Sequence, residues 1–164
     1  MDEMSDIDQT RFPDAETFLR SAESAFNQKD IKAACAEYAD EATLEFLTNG
    51  TFDSFSGLSR IKVGWRGVFK AIPYFRLKKT LVLSDAQKIV NEWEGTIDKR
   101  EKVPARGIEI WHFNTKGKVI HHKLYTFLKV YSAGGLKGKL QFGLTSPILG
   151  WRLEKERSKS KYQE

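Results

Sequence analysis

Between Gly107 and Tyr125 the chain reads GIEIWHFNTKGKVIHHKLY, a carboxylate, a tryptophan and three histidines in two strand-like stretches around a polar turn. A glutamate facing a histidine across such a hairpin has a definite chemistry. The carboxylate orients the imidazole and raises its basicity, leaving the second ring nitrogen free to accept or deliver a proton. If Thr115 and Lys116 form a two-residue turn, Glu109 sits opposite His122, with β-carbons about 5 Å apart. A three-residue turn with Gly117 in a bulge instead pairs Ile110 with His122. The residues permit either. A competing reading of Glu109 and His122 is a satisfied polar pair in the core. His112 and His121 fall on the opposite face or near its edge, so the three histidines do not converge and no metal site is expected. No cofactor is implied.

The elements that must hold these residues follow from patterning. Pro13 and Asp14 open a helical stretch with Phe18, Leu19, Ala22, Ala25 and Phe26 at i, i+3, i+4 spacing. Asp30 is a suitable N-cap for a second helix, IKAACAEYA. ATLEFL and TFDSF read as short strands joined at Asn49-Gly50, and SRIKVGWRGVFKAI as a third helix ended by Pro73. Four long strand-like runs follow: YFRLKKTLVLS, QKIVNEWEGTI, PARGIEIWHF and KVIHHKLYTFLKVY. Three helices around a hairpin, then a meander, predict a segregated α+β fold in which a strongly curved, mostly antiparallel sheet encloses the helices. This domain spans residues 14–131, after an acidic segment at 1–13. Residues 132–164 form a glycine-rich arm and a basic extension, with a last helix beginning near Pro147.

Composition narrows the function classes. The 164 residues are 40% hydrophobic and 30% charged, as in soluble globular domains. No run of about 18 apolar residues exists to span a membrane, and the start, MDEMSDIDQT, is no signal peptide. A single cysteine, Cys35, reads as a small buried hydrophobe, and a cytoplasmic location is expected. The net charge of +5 resides in residues 129–164, where eight Lys/Arg oppose three Glu. The body is electrically balanced, so the basic pI does not mark a nucleic-acid-binding face.

The order helix, helix, hairpin, helix, meander resembles the nuclear-transport-factor-2-like superfamily, in its SnoaL-like and ketosteroid-isomerase-like branch. The carriers are Asp30-Ile31 with YADEATLEF (38–46), NEWEGT (91–96) and RGIEIWHFNTKGKVIHHKLY (106–125). The resemblance implies a cone-shaped α+β barrel with a pocket bearing Phe46, Trp65, Asn91, Trp93, Gly107, Glu109, His122, Leu124 and Thr126. The isomerases' base aspartate corresponds to Phe46 and their oxyanion-hole tyrosine to Ala22; the cyclases' and epoxide hydrolases' acid–base aspartate corresponds to Leu124. Only the partner carboxyl is kept, as Glu109, so steroid isomerisation by that mechanism is not expected. The expected ligand is a small apolar or aromatic molecule. If the domain is an enzyme, Glu109 and His122 transfer protons in a cofactor-free isomerase or cyclase reaction; the rival is a non-catalytic interaction or scaffold domain. The other sheet face, with Ile108, Ile110, Val119, Tyr125 and Phe127, needs a cover, and a homodimer would supply it.

Overall fold

A computed structural model describes residues 12–48, 51–72, 74–97 and 103–128. The acidic N-terminus, the Asn49-Gly50 turn, Pro73, the glycine-rich arm and the helix expected from Pro147 lie outside the described residues. Helix α1 (Ala15–Gln28) starts where the Asp14 carboxylate accepts the Thr17 N–H at 2.8 Å, satisfying one of the free donors of its first turn. Its apolar stripe, Phe18, Leu19, Ala25 and Phe26, is buried. Lys29 ends it in the left-handed conformation at φ 56°, and its N–H returns to the carbonyls of Ala25 and Phe26.

The second helix is shorter than the sequence suggests. Asp30 caps it as expected, accepting from the Ala33 N–H at 3.0 Å, but α2 covers only Ile31–Ala34. The chain is already in strand β1 (Tyr38–Thr48) by Tyr38, which pairs with Val119. A ladder to a distant strand has overridden the local helix preference of this alanine-rich stretch. Strand β2 (Thr51–Ser56) folds back antiparallel on β1, with Thr48 opposite Thr51. Helix α3 (Leu58–Ala71) then lays Ile61, Gly64 and Trp65 inward. Strands β3 (Phe75–Asp85), β4 (Lys88–Ile97), β5 (Val103–Phe113) and β6 (Val119–Leu128) form the meander.

All six strands join in one sheet of order β2-β1-β6-β5-β4-β3. Among the described strands only β1 and β6 are parallel neighbours; the other pairs are antiparallel. The sheet is strongly curved and open, and the helices fill its concave side, giving the expected cone. Two inward glycines show how closely the strands approach. A β-carbon on Gly95 would lie 2.1 Å from the Arg76 carbonyl oxygen, and one on Gly107 would lie 2.2 Å from that of Tyr125. Only a residue without a side chain fits such a crease.

The β5–β6 hairpin resolves the register question by a route the sequence reading did not consider. Asn114 organises the turn: its side-chain oxygen accepts from the N–H groups of Lys116 and Lys118, and Gly117 adopts φ 70°. Phe113 then pairs with Val119, one residue out of the simple two-residue register. A second slip follows at Ile120, so Trp111 faces His122 and Glu109 faces Leu124. Two single-residue slips restore the original face parity. Glu109 and His122 both point inward, as diagonal neighbours instead of direct partners. The same slips correct the outer-face set: Val119 is fully buried, and Ile120 is exposed in its place. Ile108 and Phe127 remain outside.

Candidate functional site

Inside the cone, most surfaces are apolar: Phe18, Leu19, Phe26, Leu44, Ile61, Trp65, Ile89, Trp93, Trp111 and Leu124 belong to one core cluster. Fully burying a large side chain of this kind contributes roughly 1.5–3 kcal/mol. Four polar residues are buried with them: Lys79, Asn91, Glu109 and His122. They come from four different positions on three antiparallel strands and the central parallel one, brought together by strand alternation. Asn91 on β4 is opposite Glu109 on β5, and His122 on β6 is opposite Trp111 on β5.

These groups form a connected network. The Trp111 indole donates to the Asn91 side-chain oxygen at 2.8 Å, and the Asn91 amide donates to Glu109 Oε2 at 2.9 Å. Lys79 Nζ donates to the same Oε2 in a buried ion pair. Its ammonium also lies 4.9 Å from the Phe26 ring centre and 5.5 Å from that of Trp111, where ring faces attract a cation. Burial pulls the Lys79 amine below its ordinary pKa, and the Glu109 carboxylate pulls it back up.

His122 has a separate anchorage. Its Nδ1 and the Tyr38 hydroxyl share a hydrogen bond of 2.6 Å, and its ring stacks on Trp111 with centroids 3.4 Å apart and planes 13° apart. Burial pushes the His122 pKa well below 6.5, and the Lys79 charge pushes in the same direction. Burial likewise drives the Tyr38 phenol well above 10. Both groups are therefore neutral at pH 7. Nε2 of His122 is buried without a hydrogen-bond partner and lies 3.8 Å from Glu109 Oε1. That gap is too long for a direct hydrogen bond, yet one oxygen atom placed off the line could contact both.

The other expected pocket residues share this interior. Trp65 of α3 packs edge-on against Phe46 and Phe26, with ring centres 4.8 and 4.5 Å apart. Its indole N–H is buried without a hydrogen bond, as is that of Trp93. Trp93 lies over Gly107, where an added β-carbon would come within 2.5 Å of Nε1. Leu124 is buried beside Glu109, and Thr126, opposite Gly107, is half-buried. Cys35 is a buried free thiol whose pKa burial raises to about 11, which suits an inert core residue.

Two members of the network escaped the sequence reading. Lys79 was legible in principle: Leu77, Lys79 and Leu81 alternate, placing a lysine at an inward position between two leucines. Tyr38 was hidden by the overlong second helix. His121 and His112 sit on the outer face, with ring centres 5.8 Å apart. The outer face also carries a groove of about 720 Å³ that includes Arg76, Lys78, Glu94, Pro104, Arg106 and Phe127 in its lining. Among the described residues no His/Cys/Asp/Glu cluster is arranged to hold a metal, and no helix is long and apolar enough to cross a membrane.

Solved structures share this architecture at low sequence identity. A SnoaL-like protein of unknown function from Burkholderia thailandensis is 19% identical, with a TM-score of 0.55 over 68% of this chain and 92% of its own. A putative isomerase from Bacillus subtilis is 18% identical, with a TM-score of 0.57 over 68% and 85%. A steroid delta-isomerase from Pseudomonas aeruginosa is 15% identical, with a TM-score of 0.54 over 88% and 94%. A search of curated proteins finds no match. The family model for a SnoaL-like domain matches residues 18–122, the span that contains most of α1 and every member of the buried network. The chain belongs to the SnoaL-like family, within the nuclear-transport-factor-2-like superfamily.

Proposed function

We propose that the domain binds a small, mostly apolar molecule inside the cone and that Glu109 and His122 act on it by proton transfer, in a cofactor-free reaction of isomerase or cyclase type. The observation that carries this reading is the buried Nε2 of His122, unpartnered and 3.8 Å from Glu109 Oε1. Buried polar atoms ordinarily have partners, and a ligand oxygen between these two would supply one. Phe46, Trp65, Trp93 and Leu124 give such a ligand an apolar surround, with Asn91, Gly107 and Thr126 on the same sheet face. A putative isomerase and a steroid delta-isomerase among the similar structures support the reaction class.

The test uses the wild-type protein. Flat apolar molecules titrated into it should shift the His122 ring resonances saturably and leave those of His121 untouched. Shifts confined to His112 and His121 would place binding on the outside and sink the reading. Solvent deuterium incorporated into a bound ketone, and lost in His122→Asn, would establish turnover.

A second reading rests on the outer face, where Ile108 is 39% and Phe127 52% exposed beside the basic groove. An interaction domain that forms a homodimer through this sheet would cover them. Sedimentation at tens of micromolar should then show a dimer that Phe127→Asp disrupts, and a monomeric wild type would count against it.

A further inference from the structure

A Glu109–His122 relay has no use for Lys79, yet Lys79 is the side chain that Glu109 holds. Burying an ammonium is expensive, and a well-packed apolar residue in its place is often as stable or more so. The leucines on either side of it, Leu77 and Leu81, show what this sheet face otherwise selects. We infer that Lys79 is a positioning residue of the interior site: it claims Glu109 Oε2, turns Oε1 alone toward His122, and keeps the imidazole uncharged, so that the site is built for an uncharged ligand bearing a hydroxyl or carbonyl oxygen.

The surroundings of His122 set the charge balance. Tyr38 faces it from β1, Lys79 from β3, and Glu109 and Trp111 from β5; Trp65 approaches from α3, and His121 precedes it on β6. The ammonium and the carboxylate cancel. A proton on His122 would leave one net positive charge in an apolar interior, a state that burial disfavours strongly. A ligand carboxylate or ammonium would unbalance the site in the same way, whereas a neutral oxygen would not. The unfilled hydrogen-bonding capacity at Nε2 supports an oxygen-bearing ligand. Removing Lys79 changes the pairing. His122, 3.8 Å away, would then be the remaining neighbour able to face the Glu109 carboxylate with a positive charge, and the two should become an ion pair.

The ligand half of this inference rests on the binding function proposed above; the titration half does not. Ring ¹⁵N shifts of His122 should be followed from pH 5 to 9 in wild type, Lys79→Met and Lys79→Arg. Wild type should keep an uncharged ring at pH 7, with protonation confined to pH well below 6.5. In Lys79→Met the protonated fraction at pH 7 should rise at least tenfold, and Lys79→Arg should behave as wild type. A ring as uncharged in Lys79→Met as in wild type, or an Arg variant matching the Met variant, overturns the inference. Should the Met variant fail to fold, the wild type decides: a charged Lys79 ¹⁵N resonance beside a neutral His122 at pH 7 is required, and a neutral amine or a charged ring overturns the proposal. For the ligand, 2-naphthol and 2-acetonaphthone should shift His122 at concentrations at least tenfold below 2-naphthoate. A preference for the carboxylate overturns the predicted ligand class. Silence from all three would tell against the binding function while leaving the role of Lys79 to the titration.

Discussion

Strand β6 carries two adjacent histidines, and each has a glutamate near it. Outside, His121 Nε2 lies 3.1 Å from Glu45 Oε1, a contact without hydrogen-bond alignment, and Lys123 reaches the other oxygen of the same carboxylate at 3.7 Å. These side chains are about one-third exposed. Inside, His122 and Glu109 are sealed from water, and they are farther apart than the outer pair. In the wet environment an imidazole and a lysine can share a carboxylate with little consequence, because water screens them. In the dry one the carboxylate is taken by one cation, and the imidazole is left neutral. The difference teaches that burial, more than proximity, decides which partner a carboxylate serves.

The largest break in this comparison should come from Glu109→Gln. It strands the buried Lys79 ammonium, and losing one partner of a buried pair costs about 3–5 kcal/mol. Urea unfolding should show that loss, and Lys79→Met with Glu109→Leu should recover most of it. Near-equal stability of wild type and Glu109→Gln would mean that Lys79 escapes to water. An intermediate effect should appear on acidification. The His122 pKa is depressed in the folded chain, so the unfolded chain binds the extra proton first. Its contribution to stability is present above pH 6.5 and is lost as pH falls toward the folded value, by at most about 1.4 kcal/mol per pH unit. His122→Asn should flatten that slope; an unchanged slope would assign it to other groups. The smallest effect belongs to the outer pair. Glu45→Gln should change stability by less than about 1 kcal/mol, and 1 M salt should erase much of it. A larger loss would mean that Glu45 is structurally required.

The sequence carried the architecture because its strongest signals are local. Asp14 and Asp30 cap where capping residues should, and the last four strands are long enough for periodicity to define them. The inward set of Asn91, Trp93, Glu109 and His122 was legible from alternation together with family resemblance. What escaped was set by long-range contacts. Tyr38 leaves the helix because Val119, far along the chain, recruits it into a ladder. The place of His122 depends on a slip at Ile120 that no turn rule announces. Lys79 was readable by parity, but a lysine on an apolar face invites the opposite conclusion until its partner is known.

The parallel pairing of β1 with β6 has a consequence for how the chain assembles. The β1–β2 hairpin and the β3–β4–β5 meander each form from neighbouring segments, and neither pairs with the other. Among the described strands β6 alone joins them, and the Tyr38–His122 hydrogen bond spans 84 residues. Such distant contacts form slowly, because a long loop must close before they contribute. During synthesis β1 therefore waits with an open edge until β6 has left the ribosome. The last of the described strands to emerge is the one that makes two partial sheets into a single domain, and it brings the buried histidine with it.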